Sequence, residues 1–161
     1  MSIVLARIDN RLIHGQVLEA WVPHIHADCI VVANDRIAGV TFQRILMEAA
    51  VPKGIRVVIA TVEEAAQFLT AEERNYRVLL LFADSADALK AYHLGMSFPE
   101  LNLGNLHGGE GKLRYSCTIA LDREDIEILE SLEEEGVRIV SQCIPADREQ
   151  YWRKLVPSGG S

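Results

Sequence analysis

The sequence predicts a single doubly wound α/β domain, one mostly parallel sheet with helices on both faces. Short runs rich in Val, Ile and Leu recur along the chain, and several are continuously apolar, as central strands covered on both faces require. Segments of helical spacing lie between them, and such alternation builds a layered α/β fold. The chain's 161 residues, 49% of them apolar, suffice for one substantial core.

Taken in order, the predicted strands are 3–8, 29–33, 55–60, 78–82, 101–103, 117–121 and 137–144. A first helix starts at Gln16, with Val17, Ala20 and Trp21 toward the sheet and Pro23 in the turn that ends it. The run 41–50 sets Phe42, Ile45, Leu46 and Ala49 on one face, and Pro52 and Gly54 stop it. Thr61 and Glu64 form a capping box for the next helix. Asp84 or Ser85 caps another, which Gly95 ends and near whose close His93 can meet the helix terminus. Asp122 opens the last long helix, with Ile126, Leu129 and Leu132 as its stripe and Gly136 as its stop. The domain is read as 1–155, with 156–161 a flexible tail.

Composition excludes several classes. A net charge of −7 and a pI near 5.2 argue against a nucleic-acid binder. No apolar run reaches the roughly 18 residues of a membrane span, and the start MSIVLARIDN lacks the marks of a signal peptide. Three dispersed cysteines in apolar runs, Cys29, Cys117 and Cys143, read as buried free thiols in a reducing cytoplasm. No metal site is expected: His24 and His26 lie two apart near Pro23, and no further ligand cluster completes a set.

The chemistry concentrates in IDNRLIHGQV, residues 8–17, the first strand-to-helix connection. Open α/β sheets bind ligands at the carboxyl ends of their strands, and a helix N-terminus offers free N–H groups to an anion. His14 supplies a nitrogen nucleophile, and Asp9 an acceptor able to select its tautomer. Arg7 and Arg11 supply fixed positive charge, and Gly15 and Gln16 the first helical amides. Together they provide what phosphoryl transfer requires: a placed nucleophile, an orienter and charge for three oxygens. The plainer reading of His14 is a solvent contact in a surface loop.

The string RIDNRLIHGQV closely resembles the active-site segment of IIB subunits of bacterial sugar phosphotransferase systems (PTS) of the mannose/fructose/sorbose family. The resemblance extends through VVANDRIAG, AAVPKGIRV, NLGNLHGGEG and SQCIPAD, nearly the whole chain. It implies that His14 accepts a phosphoryl group on Nδ1 from a phosphohistidine of a IIA protein. The group then passes to a sugar held by membrane IIC and IID subunits. It implies Arg11 as phosphate clamp, Asp9 as orienter, no cofactor, and a cytoplasmic protein peripherally associated with those subunits. A homo-oligomer is compatible with it. The alternatives are a regulatory phosphocarrier without a transporter and a non-phosphorylated anion-binding module.

Other candidates carry less. The stretch from Gly95 to Thr118 holds five glycines. It fails as a phosphate loop, because Leu106 and Leu113 stand where Gly and Ser or Thr are needed. Gly104, Asn105 and His107 are instead read as a second wall beside the His14 loop, with a plain mobile loop as the alternative. Eight carboxylates from Asp122 to Glu135 read as a solvated helix face, with docking to a basic partner secondary. Trp21 reads as core, and Trp152 either as packing near the C-terminus or as interface.

Overall fold

The computed structural model describes residues 2–157. Strand β1 (Ser2–Asp9) leads through a loop into a helical segment that begins with a π turn, Val17–Trp21, and continues as α1 (Val22–Ile25). Then follow β2 (Cys29–Ala33), α2 (Asp35–Ala38), α3 (Thr41–Ala50), β3 (Arg56–Ala60) and α4 (Val62–Ala71). Next come β4 (Arg77–Phe82), α5 (Ser85–His93), β5 (Glu100–Asn105) and the two-residue strands β6 (Leu113–Arg114) and β7 (Ala120–Leu121). The chain closes with α6 (Arg123–Glu134), β8 (Arg138–Ser141), β9 (Gln150–Tyr151) and α7 (Trp152–Leu155).

The sheet has seven strands in the order β3-β2-β4-β1-β5-β8-β9, all parallel except the β8–β9 pair. Alternate residues of the central strands serve two separate cores, as a sheet covered on both faces demands. Ile8, Val31, Leu80 and Leu103 meet α4, α5 and α6 through Ala65, Ala88 and Leu129. Ile30, Val32, Leu79 and Leu81 meet the other layer through Val17, Val22 and Ile37. Chain reversal after β3 moves the crossovers from one face to the other, which leaves β1 near the switch point, flanked by β4 and β5.

Six of the seven predicted strands stand in this sheet. The seventh, 117–121, is corrected: only Ala120–Leu121 is strand, and it pairs antiparallel with β6 outside the main sheet. Polar Thr118 and glycines on its amino side leave too short an apolar run to span a sheet. Pro23 does not end the first helix; it occupies the opening turn of α1, and His26 ends the helix in left-handed conformation (φ 53°). Proline lacks an N–H and crowds the carbonyl four residues back, and the wider π turn just before it relieves that clash.

Helix α3 is the larger departure. Its expected core stripe faces solvent: Phe42 is 71% exposed, Ile45 56% and Leu46 54%. The helix packs instead through Met47 and the flanking Val40 and Val51. At the C-terminus Trp152 is wholly buried, its indole N–H donating to Glu133 of α6 (2.9 Å). Arg153 stacks on Trp152 and pairs with Glu130 (2.8 Å), so part of α6's acidic face is a clamp for the chain end. Val156, assigned by sequence to a loose tail, is also buried. Pro157 is exposed, and 158–161 lie outside the described residues. Of the three cysteines expected to be buried only Cys29 is; Cys117 is exposed and Cys143 half-buried, because both lie in loops rather than in sheet strands.

Candidate functional site

Asp9 is the last residue of β1 and is completely buried. The chain turns immediately: the Leu12 amide donates to the Asp9 carbonyl (2.8 Å), and Leu12 takes a left-handed backbone (φ 58°). A bulky residue adopts that region at a cost on the order of 1–2 kcal/mol. Burial of the Leu12 side chain against the Ile30 and Leu81 layer offsets it. The loop then delivers His14, and Gly15 and Gln16 open the helix, so their amides have no intrahelical acceptor.

The His14 ring is seated on Asp9, with Nε2 2.9 Å from Oδ2. Asp9 Oδ2 also accepts from the Asn105 amide (3.1 Å), and Oδ1 from the backbone N–H of Arg11 (3.0 Å). Burial pushes this carboxyl up, but the bonds from His14, Asn105 and Arg11 outweigh it and hold the pKa below the ordinary carboxylate value. An ionised Asp9 can only accept, so neutral His14 must carry its proton on Nε2. The other nitrogen, Nδ1, is buried and has no hydrogen-bond partner among the described residues.

A register shift places Asn105. Strands β1 and β5 pair Arg7 with Asn102 and Ile8 with Leu103, but Asp9 with Asn105. Gly104 is the extra residue, and a bulge of this kind re-aims the side chain that follows. It also admits Arg7, whose guanidinium lies across Gly104 where a Cβ would collide with it. Arg7 was read from sequence as a phosphate ligand, and the structure places it elsewhere. It is fully buried and donates to Asn102 and to the carbonyls of Gln142 (2.7 Å) and Cys143 (3.0 Å). Its guanidinium stacks on Trp21 (5.0 Å), and its Nε lies 3.5 Å from Asp9. Arg7 therefore braces Asp9 from below and ties β1 to β5 and the loop after β8. Burial lowers its pKa from the ordinary value, against the opposing pull of Asp9.

Arg11 is exposed and lines a cleft of about 590 Å³ beside the loop. Asn10, Leu12, Asn34, Arg36 and residues of α3 share that cleft. Of the three second-wall residues, Gly104 and Asn105 join the floor of the site, while His107 is exposed beyond it. Sequence reading missed Asn102, Gln142, Cys143, Asn34 and Arg36. The dipeptide Asn34-Asp35 after an apolar run was a visible signal, since Asn34 caps α2 by accepting from Ile37 (2.8 Å). Backbone carbonyls at 142 and 143 carry no signal in side-chain identity.

The glycine-rich segment is anchored rather than loose. Lys112 bonds Asp125 (2.9 Å), which also accepts from Ser85 (2.7 Å) and forms a capping box with Asp122. One carboxylate thus joins that segment to the starts of α5 and α6. No helix among the described residues is long and apolar enough to cross a membrane.

Comparison with known proteins agrees with this fold over nearly the whole chain. The chain is 34% identical over 146 residues to the N-acetylgalactosamine-specific phosphotransferase enzyme IIB component 2 of Escherichia coli K12, covering 91% of this chain and 93% of that protein. It is 32% identical to the sorbose-specific EIIB component of Klebsiella pneumoniae over 91% of this chain and 90% of that protein. The crystal structure of the IIBSor domain of the Klebsiella pneumoniae sorbose permease superposes with a TM-score of 0.92 at 28% identity, covering 99% and 98% of the two chains. Mannose-specific EIIAB components of Escherichia coli also match, and there this chain spans 49% of the longer protein. A family model described as PTS system sorbose subfamily IIB component matches residues 3–160, and the chain belongs to that family.

Proposed function

We propose that this IIB component is a phosphohistidine carrier in which His14 Nδ1 takes the phosphoryl group. The observation that carries the reading is the division of labour on the imidazole: Nε2 is held by Asp9, and Nδ1 alone is uncommitted. The lone pair of Nδ1 attacks phosphorus in line as the P–N bond of a IIA phosphohistidine breaks. That bond's electron pair returns to the donor nitrogen. Positive charge developing on the His14 ring is met by Asp9 through the Nε2 proton. Onward transfer reverses the roles: a sugar hydroxyl attacks phosphorus and gives its proton to a base on the sugar-binding side or to water, while the P–N pair returns to Nδ1.

Arg11 is the residue of choice for the phosphoryl oxygens, and the amides of Gly15 and Gln16 directly follow His14 in sequence. The sugar is presented by membrane IIC and IID subunits, to which this cytoplasmic chain binds peripherally. Asn105 and the Gly104 bulge act one step back, holding Asp9 in place.

The test is intact-mass and site mapping after incubation with phosphoenolpyruvate, enzyme I, HPr and a charged IIA protein, at neutral or mildly alkaline pH. One phosphate on His14, absent without IIA, is the expected result. His14→Asn should take up none, and Asp9→Asn should slow uptake about 100-fold by releasing the tautomer. Labelling of His14→Asn equal to wild type would remove the reading.

A further inference from the structure

Helix α3 carries an apolar stripe that the fold does not use. Phe42, Ile45 and Leu46 are each more than half exposed, on a ten-residue helix with no buried residue. Large apolar patches on this scale mark interaction surfaces. The stripe is continuous with the functional site. Leu46 lines the same cleft as Asn10, Arg11 and Leu12 of the His14 loop.

Two cations stand at the rim of this patch, in a cleft that Asp84 also lines. Arg77, Arg138 and Arg153 are all held by carbonyls or carboxylates. Arg11 and Arg36 both line the cleft, and among the described residues neither side chain has a hydrogen bond or an ion pair. In a chain of net charge −7 that is an unspent pair of cations at the edge of an apolar face. An apolar centre with a charged rim is the anatomy of a protein interface.

We propose that the α3 stripe, rimmed by Arg11 and Arg36, is the docking face for the phosphoryl-donor protein, and that its mate is an apolar patch with an acidic rim. The proposal rests on the phosphocarrier reading above. The donor is favoured over the acceptor by charge. It arrives carrying the doubly negative phosphoryl group toward two free guanidiniums. An acceptor brings a neutral hydroxyl to a chain whose Arg11 is already engaged by phosphate. A second copy is disfavoured, because it would set the same two cations against themselves and bring together two chains of net charge −7.

The test compares full-length wild type with a Phe42→Ser/Ile45→Ser double variant and with Arg36→Glu. Phosphorylation of His14 is followed from two donors, phospho-IIA and the small molecule phosphoramidate, with sedimentation velocity alongside. Because Phe42 and Ile45 lie mostly in solvent, the double variant should melt within a few degrees of wild type. The expected result is a KM for phospho-IIA raised at least tenfold in the double variant, with kcat and the phosphoramidate rate within about twofold of wild type. Arg36→Glu should raise KM as well and flatten its dependence on salt.

An unchanged KM overturns the proposal. So does an unchanged KM combined with loss of sugar phosphorylation on membranes bearing IIC and IID, which gives the face to the acceptor. A wild-type dimer that the double variant splits, with transfer from IIA intact, gives it to a second copy. Failure of both donors to label wild type removes the phosphocarrier reading itself, and the docking face with it.

Discussion

A glycine decides how the buried arginine and the site aspartate share their space. Gly104 admits the Arg7 guanidinium and supplies the bulge that sets Asn105 against Asp9. Gly104→Ala should therefore be costly although it adds one methyl group. The methyl must displace a buried cation from the carbonyls of Gln142 and Cys143. Overpacking and the loss of buried charge partners predict destabilisation of about 3 kcal/mol in urea unfolding. A cost below about 1 kcal/mol would mean that Arg7 has an alternative seat. The Asp9–His14 pair was legible in sequence because both residues lie in one short loop. The inward turn of Arg7 was not, because it depends on Asn102 and on two main-chain carbonyls more than 130 residues away.

At the scale of elements, caps and anchors differ in how many neighbours they serve. Thr61 caps α4 alone, accepting from Glu64 (3.1 Å) at an exposed position. Thr61→Ala should cost about 1 kcal/mol. Asp125 completes the α6 cap, accepts from Ser85 of α5 and holds Lys112 of the glycine-rich segment. Asp125→Ala should cost about 3 kcal/mol, because it leaves a partly buried ammonium and a hydroxyl without their acceptor. Hydrogen exchange should show the same variant loosening residues 106–119 while Thr61→Ala leaves them unchanged. Equal thermal shifts for the two variants would contradict this account. Both caps could be found by inspection, since capping is local in sequence. The Lys112 tie could not, because it joins parts of the chain brought together only by the sheet.

Across the whole molecule, buried Asp9 and half-buried Asp87 pull stability in opposite directions with pH. Asp9 titrates below its ordinary value, so the stability it adds is present above the usual carboxylate range and is lost on acidification. Asp87 is the reverse. Burial pushes it up to about 6, and neighbouring Asp84 and Asp35 add to the effect while bonds from Asn34 and Ala83 oppose it. In the folded chain it keeps its proton between about pH 4 and 6, where the unfolded chain has lost it. Its contribution is therefore full below about pH 4 and falls as pH rises through 6. The ceiling of that loss is about 3 kcal/mol, two pK units at 1.36 kcal/mol each. Asp87→Asn should flatten the fall in melting temperature between pH 4 and 7, while the acid limb governed by Asp9 remains. An unaltered profile would place the titration elsewhere.

Sequence by itself determined the α/β layering, six of the seven predicted sheet strands, the caps at Thr61 and Asp122, the pair Asp84 or Ser85 as the cap of α5, and the loop that carries Asp9, Arg11 and His14. Each rests on short-range physics: apolar runs, side-chain hydrogen bonds to nearby amides, and the reach of one strand–helix turn. Tertiary structure alone decided which face of α3 meets solvent. The stripe Phe42–Ile45–Leu46 reads as core by periodicity, but periodicity reports that a helix is two-faced and not which face finds a partner. It also decided that Arg7 is a brace rather than an anion ligand. That outcome depends on the desolvation of one guanidinium by strands and carbonyls distant in the chain, a quantity no local pattern encodes.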